Sequence, residues 1–171
     1  MKRLVAALAA ASSLSACGMP PHCVGRGTWV TTAGKKRLVE ELVAGDEIIS
    51  VEPTTGAHRV GKITAITTAE KECGVLRLPD GTTLTMTEEH PVYDPTDAAF
   101  HPAIEWFSGA RSALLCFEDG KTVVARVAER TPFFDIRTVY DLTVESAWHT
   151  FVADGVVVHN KSPLLSMLRA T

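Results

Sequence analysis

Short runs of β-branched and apolar residues, each broken by a turn signal, set the pattern of the chain from residue 29 to residue 158. A first group covers 29–32, 47–51, 59–66, 74–78 and 82–87, punctuated by Gly34, Gly45-Asp46, Thr55-Gly56 and Asp80-Gly81. A second covers 112–117, 122–127, 138–144, 150–153 and 156–158, with Asp119-Gly120 and Asp154-Gly155 as its turn pairs. Runs of this length read as strands, and the glycine-containing pairs between them as hairpin turns. Only 38–43 and 103–107 leave room for a helical turn or two, so the body is predicted to be all-β with few short helices. No fixed-period repeat is visible.

The first residues break this pattern. Lys2 and Arg3 precede an apolar stretch over 4–11, and Leu14-Ser15-Ala16-Cys17 follows two serines. That layout is an export signal. Its last four residues resemble a lipobox, which implies cleavage before Cys17 and a diacylglyceryl group on its thiol. Residues 1–16 are then expected to be a signal peptide and 17–22 a lipidated linker stiffened by Pro20 and Pro21, and the resemblance implies an exported lipoprotein anchored in a bacterial cell envelope. The alternative is an ordinary cleaved signal in which Cys17 is incidental.

Composition narrows the remainder. The chain has 171 residues, 46% hydrophobic and 22% charged, which fits one compact domain with a short appendage. A net charge of −3 without a long basic run leaves no footprint for nucleic acid. After residue 20 no apolar stretch approaches the roughly 20 residues of a spanning helix. Lipidation of Cys17 leaves Cys23, Cys73 and Cys116, an odd number in a compartment where disulfides persist. Pairing of Cys73 with Cys116 would leave Cys23 as the remaining thiol; equally, both are small hydrophobes suited to burial.

Three segments carry the chemistry. Cys23-Val24-Gly25-Arg26-Gly27-Thr28-Trp29-Val30 opens the body, followed by the Gly34 turn and Leu42-Val43-Ala44-Gly45-Asp46. Thr87-Glu88-Glu89-His90-Pro91 closes a strand run. A hydroxyl and an imidazole three residues apart at a strand end can converge on one amide, the first binding the developing oxyanion and the second protonating the leaving nitrogen. In isolation the pair also fits a turn histidine satisfied by backbone. The third segment runs from Val139-Tyr140-Asp141-Leu142-Thr143-Val144 to His149-Thr150-Phe151-Val152-Ala153-Asp154-Gly155-Val156-Val157-Val158-His159-Asn160. A hairpin at Asp154-Gly155 sets the strand carrying His149 beside the one ending in Asn160.

In this order the segments resemble the motifs of Hint domains, the self-cleaving modules of inteins and of bacterial intein-like proteins. The resemblance spans residues 23–160, with residues 161–171 as a C-terminal flank. It implies a horseshoe-like β structure with pseudo-two-fold halves. It also implies that Cys23 attacks the carbonyl of His22 to form a thioester, with His90 as proton donor and Thr87 at the oxyanion. Asp141 tunes Cys23 and coordinates the two ends, or fixes a histidine. Asn160 cyclises to a succinimide with help from His149 and His159, breaking the bond to Lys161. Every step uses only side chains and water, so no cofactor is expected and the substrates are the chain's own flanking peptides. The spacings of the six histidines lack a tight ligand pattern with cysteine, and no metal is expected.

One position departs from the intein pattern. Splicing needs Cys, Ser or Thr after the asparagine, and Lys161 stands there. Ser162 lies one residue late, a displacement of about 3.3–3.6 Å. Cleavage at either end is therefore expected in place of efficient splicing, with slow aminolysis of the thioester by the freed amine of Lys161 as a further route. The competing reading is a catalytically silent lipoprotein that keeps the fold as a binding or structural module. A sterol-transferring, hedgehog-like branch fits poorly, because the upstream flank is six residues and no sterol-recognition segment follows Asn160.

Overall fold

The computed structural model of the protein describes residues 22–160. The expected signal peptide, the linker up to Pro21 and the flank 161–171 lie outside the described residues. In chain order the strands are β1 (Val24–Gly25), β2 (Trp29–Thr31), β3 (Lys36–Leu38), β4 (Glu47–Val51), β5 (His58–Arg77), β6 (Thr83–Met86) and β7 (Pro91–Asp94). They continue with β8 (Ala99–Pro102), β9 (Ala113–Glu118), β10 (Lys121–Arg126), β11 (Glu129–Glu145), β12 (Thr150–Ala153) and β13 (Val156–His159). A 3-10 turn at Val39–Glu41 and one helix, α1 (Ile104–Phe107), fall inside the two stretches predicted to hold helical turns.

Two sheets result. The first runs β11-β1-β6-β5-β4, with β11 also paired to β5; the second runs β10-β9-β13-β12-β2-β3, with β7 on β13 and β8 on β7. One apolar cluster draws on both sheets: Val24, Ile48, Leu76, Met86 and Leu142 from the first meet Val30, Val92, Leu114, Phe151 and Val156 from the second, around a fully buried Trp106. The Trp106 indole N–H is satisfied by the Ala113 carbonyl at 2.8 Å, so the ring is buried without an orphaned donor.

The separate runs predicted at 59–66 and 74–78 are one twenty-residue strand, β5, and the run predicted at 138–144 reaches back to Glu129 in β11. These two strands pair antiparallel from Glu129 opposite Arg77 to Glu145 opposite Lys62. Most side chains over 67–72 face water, so the alternation that marks a half-buried strand is missing there, and the backbone ladder sustains it together with the Thr138 hydroxyl donating to Glu70. The short strands β1, β3, β7 and β8 likewise carry too few residues for a periodic signal.

A charged cluster braces the region after β7. Arg111 reaches Asp94 at 2.7 Å, Asp97 at 3.0 Å and Glu105 at 2.5 Å, tying the β7–β8 hairpin to α1. Burial pushes the Asp94 carboxyl up, but hydrogen bonds from Thr96 and Arg111 outweigh it and hold the group below its ordinary value.

Candidate active site

β1 lies between β11 and β6, with Val24 opposite both Tyr140 and Met86. Carried one residue back, these antiparallel registers set Cys23 beside Asp141 on one side and Thr87 on the other. Cys23 is 2% exposed. Its backbone N–H donates to Thr87 Oγ1 at 3.3 Å, and the Thr87 N–H donates to the Cys23 carbonyl at 3.1 Å. The hydroxyl therefore touches the nitrogen of the His22–Cys23 peptide bond.

From Thr87 the chain turns at once: His90 N–H donates to the Thr87 carbonyl at 3.2 Å, and Ala103 N–H donates to the His90 carbonyl at 2.9 Å. This closes the Thr-x-x-His spacing into one turn and buries the imidazole completely. The His90 ring meets the Phe151 ring edge-on at 6.1 Å and lies 6.4 Å from the His22 ring. Neither ring nitrogen makes a hydrogen bond of ordinary geometry among the described residues. Burial first, then the charges of His22 and His159, push the group down to about 3, against a weak opposing pull from the backbone of His22 and Cys23. At neutral pH His90 is uncharged and holds one ring N–H for donation.

At the other end, β12 and β13 form the hairpin predicted at Asp154-Gly155. Ala153 pairs with Val156, and the two turn residues take φ values of 47° and 80°, as a two-residue type I′ turn requires. Glycine meets that demand without strain, and aspartate is among the residues that tolerate it. The register then places Thr150 opposite His159 and brings His149 to Asn160, whose N–H donates to the His149 carbonyl at 2.7 Å. Asn160 is 1% exposed, and its side-chain Nδ2 donates to the Val144 carbonyl at 3.1 Å. Its Oδ1 has no hydrogen-bond partner among the described residues.

The rings of His149 and His159 lie 6.3 Å apart, and Phe100 packs on His159 at 5.0 Å. Burial, then the charges of His149 and His22, lower the His159 group to about 4. His22 thus acts on both His90 and His159, so the two ends of the body meet around one group of imidazoles. Of the six histidines, His22, His90, His149 and His159 gather here, whereas His58 packs on Phe117 and His101 pairs with Asp97. Among the described residues no group of three or more His, Cys, Asp or Glu side chains is placed to hold a metal ion.

Two features of this site escape the sequence. The motifs mark His22 only as the owner of the scissile carbonyl, not as a ring in the site, and the Val144 carbonyl carries no side-chain signature at all. One reading is corrected: Cys73 and Cys116 are both free and buried, not disulfide-bonded. Cys73 sits on β5 in the first sheet, packed with Cys23 and Val139, whereas Cys116 sits on β9 in the second sheet within the main core. Burial pushes their thiols up to about 11 and about 12, which suits the buried-hydrophobe reading.

No protein-family model and no curated protein matches the chain. Solved structures do. A bacterial intein-like domain from Clostridium thermocellum superposes with a TM-score of 0.68 at 25% identity, over 81% of this chain and 98% of that one. A DnaB intein from Synechocystis sp. PCC 6803 gives 0.70 at 18% identity over the same shares. The gp41-1 intein gives 0.62 at 18% identity, again over 81% of this chain and 98% of that one. The all-β body has the Hint fold.

Proposed function

We propose that the chain is a single-turnover self-processing domain that breaks its own His22–Cys23 and Asn160–Lys161 bonds. One observation carries the reading: Cys23 and Asn160, far apart in sequence, are both buried against the same histidine group, each with its reacting amide held by a hydrogen bond. Likeness to inteins and an intein-like domain supports it.

At the upstream bond, Cys23 Sγ attacks the His22 carbonyl carbon. The carbon–nitrogen bond breaks, and the thiol proton ends on the Cys23 nitrogen. Thr87 Oγ1 already contacts that nitrogen, and the neutral His90 ring supplies a proton path to it. Water then hydrolyses the thioester, giving a His22 carboxylate and regenerating the thiol.

At the downstream bond, Asn160 Nδ2 attacks the Asn160 carbonyl carbon and Lys161 leaves as an amine, its nitrogen taking the proton Nδ2 loses. The Val144 carbonyl aims Nδ2, and the His149 carbonyl fixes the Asn160 backbone, so the freedom that slows cyclisation in a loose peptide is already removed. His149 and His159 serve proton transfer. Lys161 offers no hydroxyl or thiol to capture the thioester, so cleavage outruns splicing. With Cys17 lipidated, cleavage at Cys23 releases the body from the bacterial envelope; cleavage at Asn160 releases residues 161–171.

Intact mass spectrometry tests this on the chain from Gly18 to Thr171 with a short tag at each end, with and without a thiol, beside Cys23→Ala and Asn160→Ala. The expected results are loss of the upstream flank that depends on Cys23, and loss of the tail that depends on Asn160 and leaves a body one water lighter than its asparagine form. An unchanged mass throughout would make the fold an inert scaffold.

A further inference from the structure

β11 ends at Glu145 and β12 begins at Thr150, so His149 rides on a connector of four residues, 146–149. Nothing in its composition closes it: Ser146, Ala147, Trp148 and His149 include no glycine or proline. Yet His149 holds φ at 51°, the left-handed region that is strained for a non-glycine residue. A strained residue at the end of a short connector persists only where its surroundings over-determine it.

A set of hydroxyls centred on Ser50 of β4 does so. Ser50 Oγ donates to Ser146 Oγ at 3.0 Å and also lies 3.0 Å from Thr150 Oγ1. One side chain therefore grips the residue at the start of the connector and the residue just past its end. Thr150 is anchored in turn: its Oγ1 accepts the Val51 N–H at 2.9 Å, and its single hydroxyl proton is shared between Ser50 Oγ and the Val51 carbonyl, 2.6 Å away. Ser50 and Thr150 are both fully buried, where an unmade polar bond is costly and a made one is rigid. β5 leaves room for the arrangement, because a Cβ at Gly61 would stand 2.9 Å from Ser146 Cβ and 3.1 Å from Val144 Cγ1.

Both groups that hold Asn160 flank this clasp. The Val144 carbonyl, which aims Nδ2, lies two residues before Ser146, and the His149 carbonyl, which takes the Asn160 N–H, lies one residue before Thr150. We propose that Ser50 is a positioning residue for cleavage after Asn160, clasping both ends of the 146–149 connector so that the Val144 and His149 carbonyls face the asparagine. None of these contacts reaches Cys23, so the upstream step is independent of the clasp. The inference rests on the self-processing reading for its consequence, but not for its geometry.

The test therefore has two readouts on the Gly18–Thr171 chain, which contains every described residue. Ser50→Ala removes the clasp; Thr150→Val removes its anchor, and Thr150→Ser restores a hydroxyl. Asn160→Ala serves as the uncleavable reference for the tail. First, mass spectrometry follows tail loss and thiol-triggered upstream cleavage in the same molecules. Tail loss is expected to slow at least about tenfold in S50A and T150V, with upstream cleavage within about twofold of the parent and T150S within about threefold at both ends. Equal slowing at both ends, or no slowing in S50A, overturns the proposal.

Second, amide hydrogen exchange reads the geometry without turnover. Asn160 N–H is expected to exchange at least about tenfold faster in S50A, while Thr87 N–H, bonded to the Cys23 carbonyl, keeps its rate. Unchanged Asn160 exchange overturns the proposal even if the chain never cleaves. Absence of cleavage in the parent with the exchange change present sinks only the self-processing reading.

Discussion

His149 accepts the backbone N–H of Asn160 at 2.7 Å while its own backbone is held at φ 51°. In the proposed reaction the residue thus has two separable jobs, one for its carbonyl and one for its imidazole. His149→Gly removes the ring but relieves the left-handed strain; His149→Ala removes the ring and keeps it. Both variants are expected to lose tail release by about 100-fold or more. H149G is expected to be more stable than H149A by about 1 kcal/mol, read from urea midpoints. Equal midpoints would show that the left-handed conformation is not maintained in solution.

Thr87 meets the nitrogen of the His22–Cys23 bond, the bond proposed to break, through its hydroxyl. Thr87→Val keeps the shape of the side chain and removes that contact, so thiol-triggered cleavage before Cys23 is expected to slow about 100-fold. Thr87→Ser is expected within a few-fold of the parent. Rate constants from quenched time courses by mass spectrometry decide it, and a T87V rate equal to the parent's would remove Thr87 from the chemistry.

What the sequence revealed was what depends on neighbours along the chain. Asp154-Gly155 announced its hairpin because turn chemistry is local, and with the hairpin came the approach of His149 to Asn160. Thr87 and His90 were legible for the same reason, since one turn joins them. The long β5–β11 ribbon was cut short because its water-facing stretch has no buried face to impose a period. The grip of Ser50 on Ser146 and Thr150 spans 96 and 100 residues of sequence, and serine in a strand run has no pattern that distinguishes a clasp from a solvated hydroxyl. A pairing of Cys73 with Cys116 follows from a cysteine count alone, which is blind to the two lying in different sheets.

Acid should weaken the fold. In the folded chain His159 and His90 stay neutral down to about 4 and about 3, whereas unfolded histidine binds its proton near 6.5. Between these values the unfolded state holds more protons, so stability is full above about pH 6.5 and falls as the pH drops toward 4. Asp154 opposes this: burial raises its carboxyl to about 6, so the folded state takes up that proton first and gains stability as the pH falls through 6. Two histidines outweigh one carboxyl, and urea midpoints are expected to fall between about pH 7 and about pH 5. Asp154→Asn should steepen the fall and His159→Gln should flatten it. A midpoint that rises on acidification contradicts the buried, neutral state of these imidazoles.

The last prediction concerns the position at which the proposed self-processing departs from splicing. Once Cys23 carries the thioester, the upstream flank is lost to water unless a nucleophile next to Asn160 captures it first. Lys161 carries an ammonium on a long stem and has no hydroxyl or thiol near its backbone. Lys161→Cys supplies the missing group, and transfer from thiol to thiol is nearly isoenergetic, so the flank moves to the introduced thiol before Asn160 cyclises. An S-to-N shift then leaves a peptide in which His22 is joined to residue 161. Mass spectrometry of doubly tagged K161C is expected to show this ligated species together with an excised body as a main product, whereas K161A is expected to show chiefly separate flanks, with no more ligation than slow aminolysis by the freed amine of residue 161 gives. A K161C chain that cleaves at both ends without ligation would mean that the two ends react at separate sites, and that the shared histidine group does not bring the thioester within reach of residue 161.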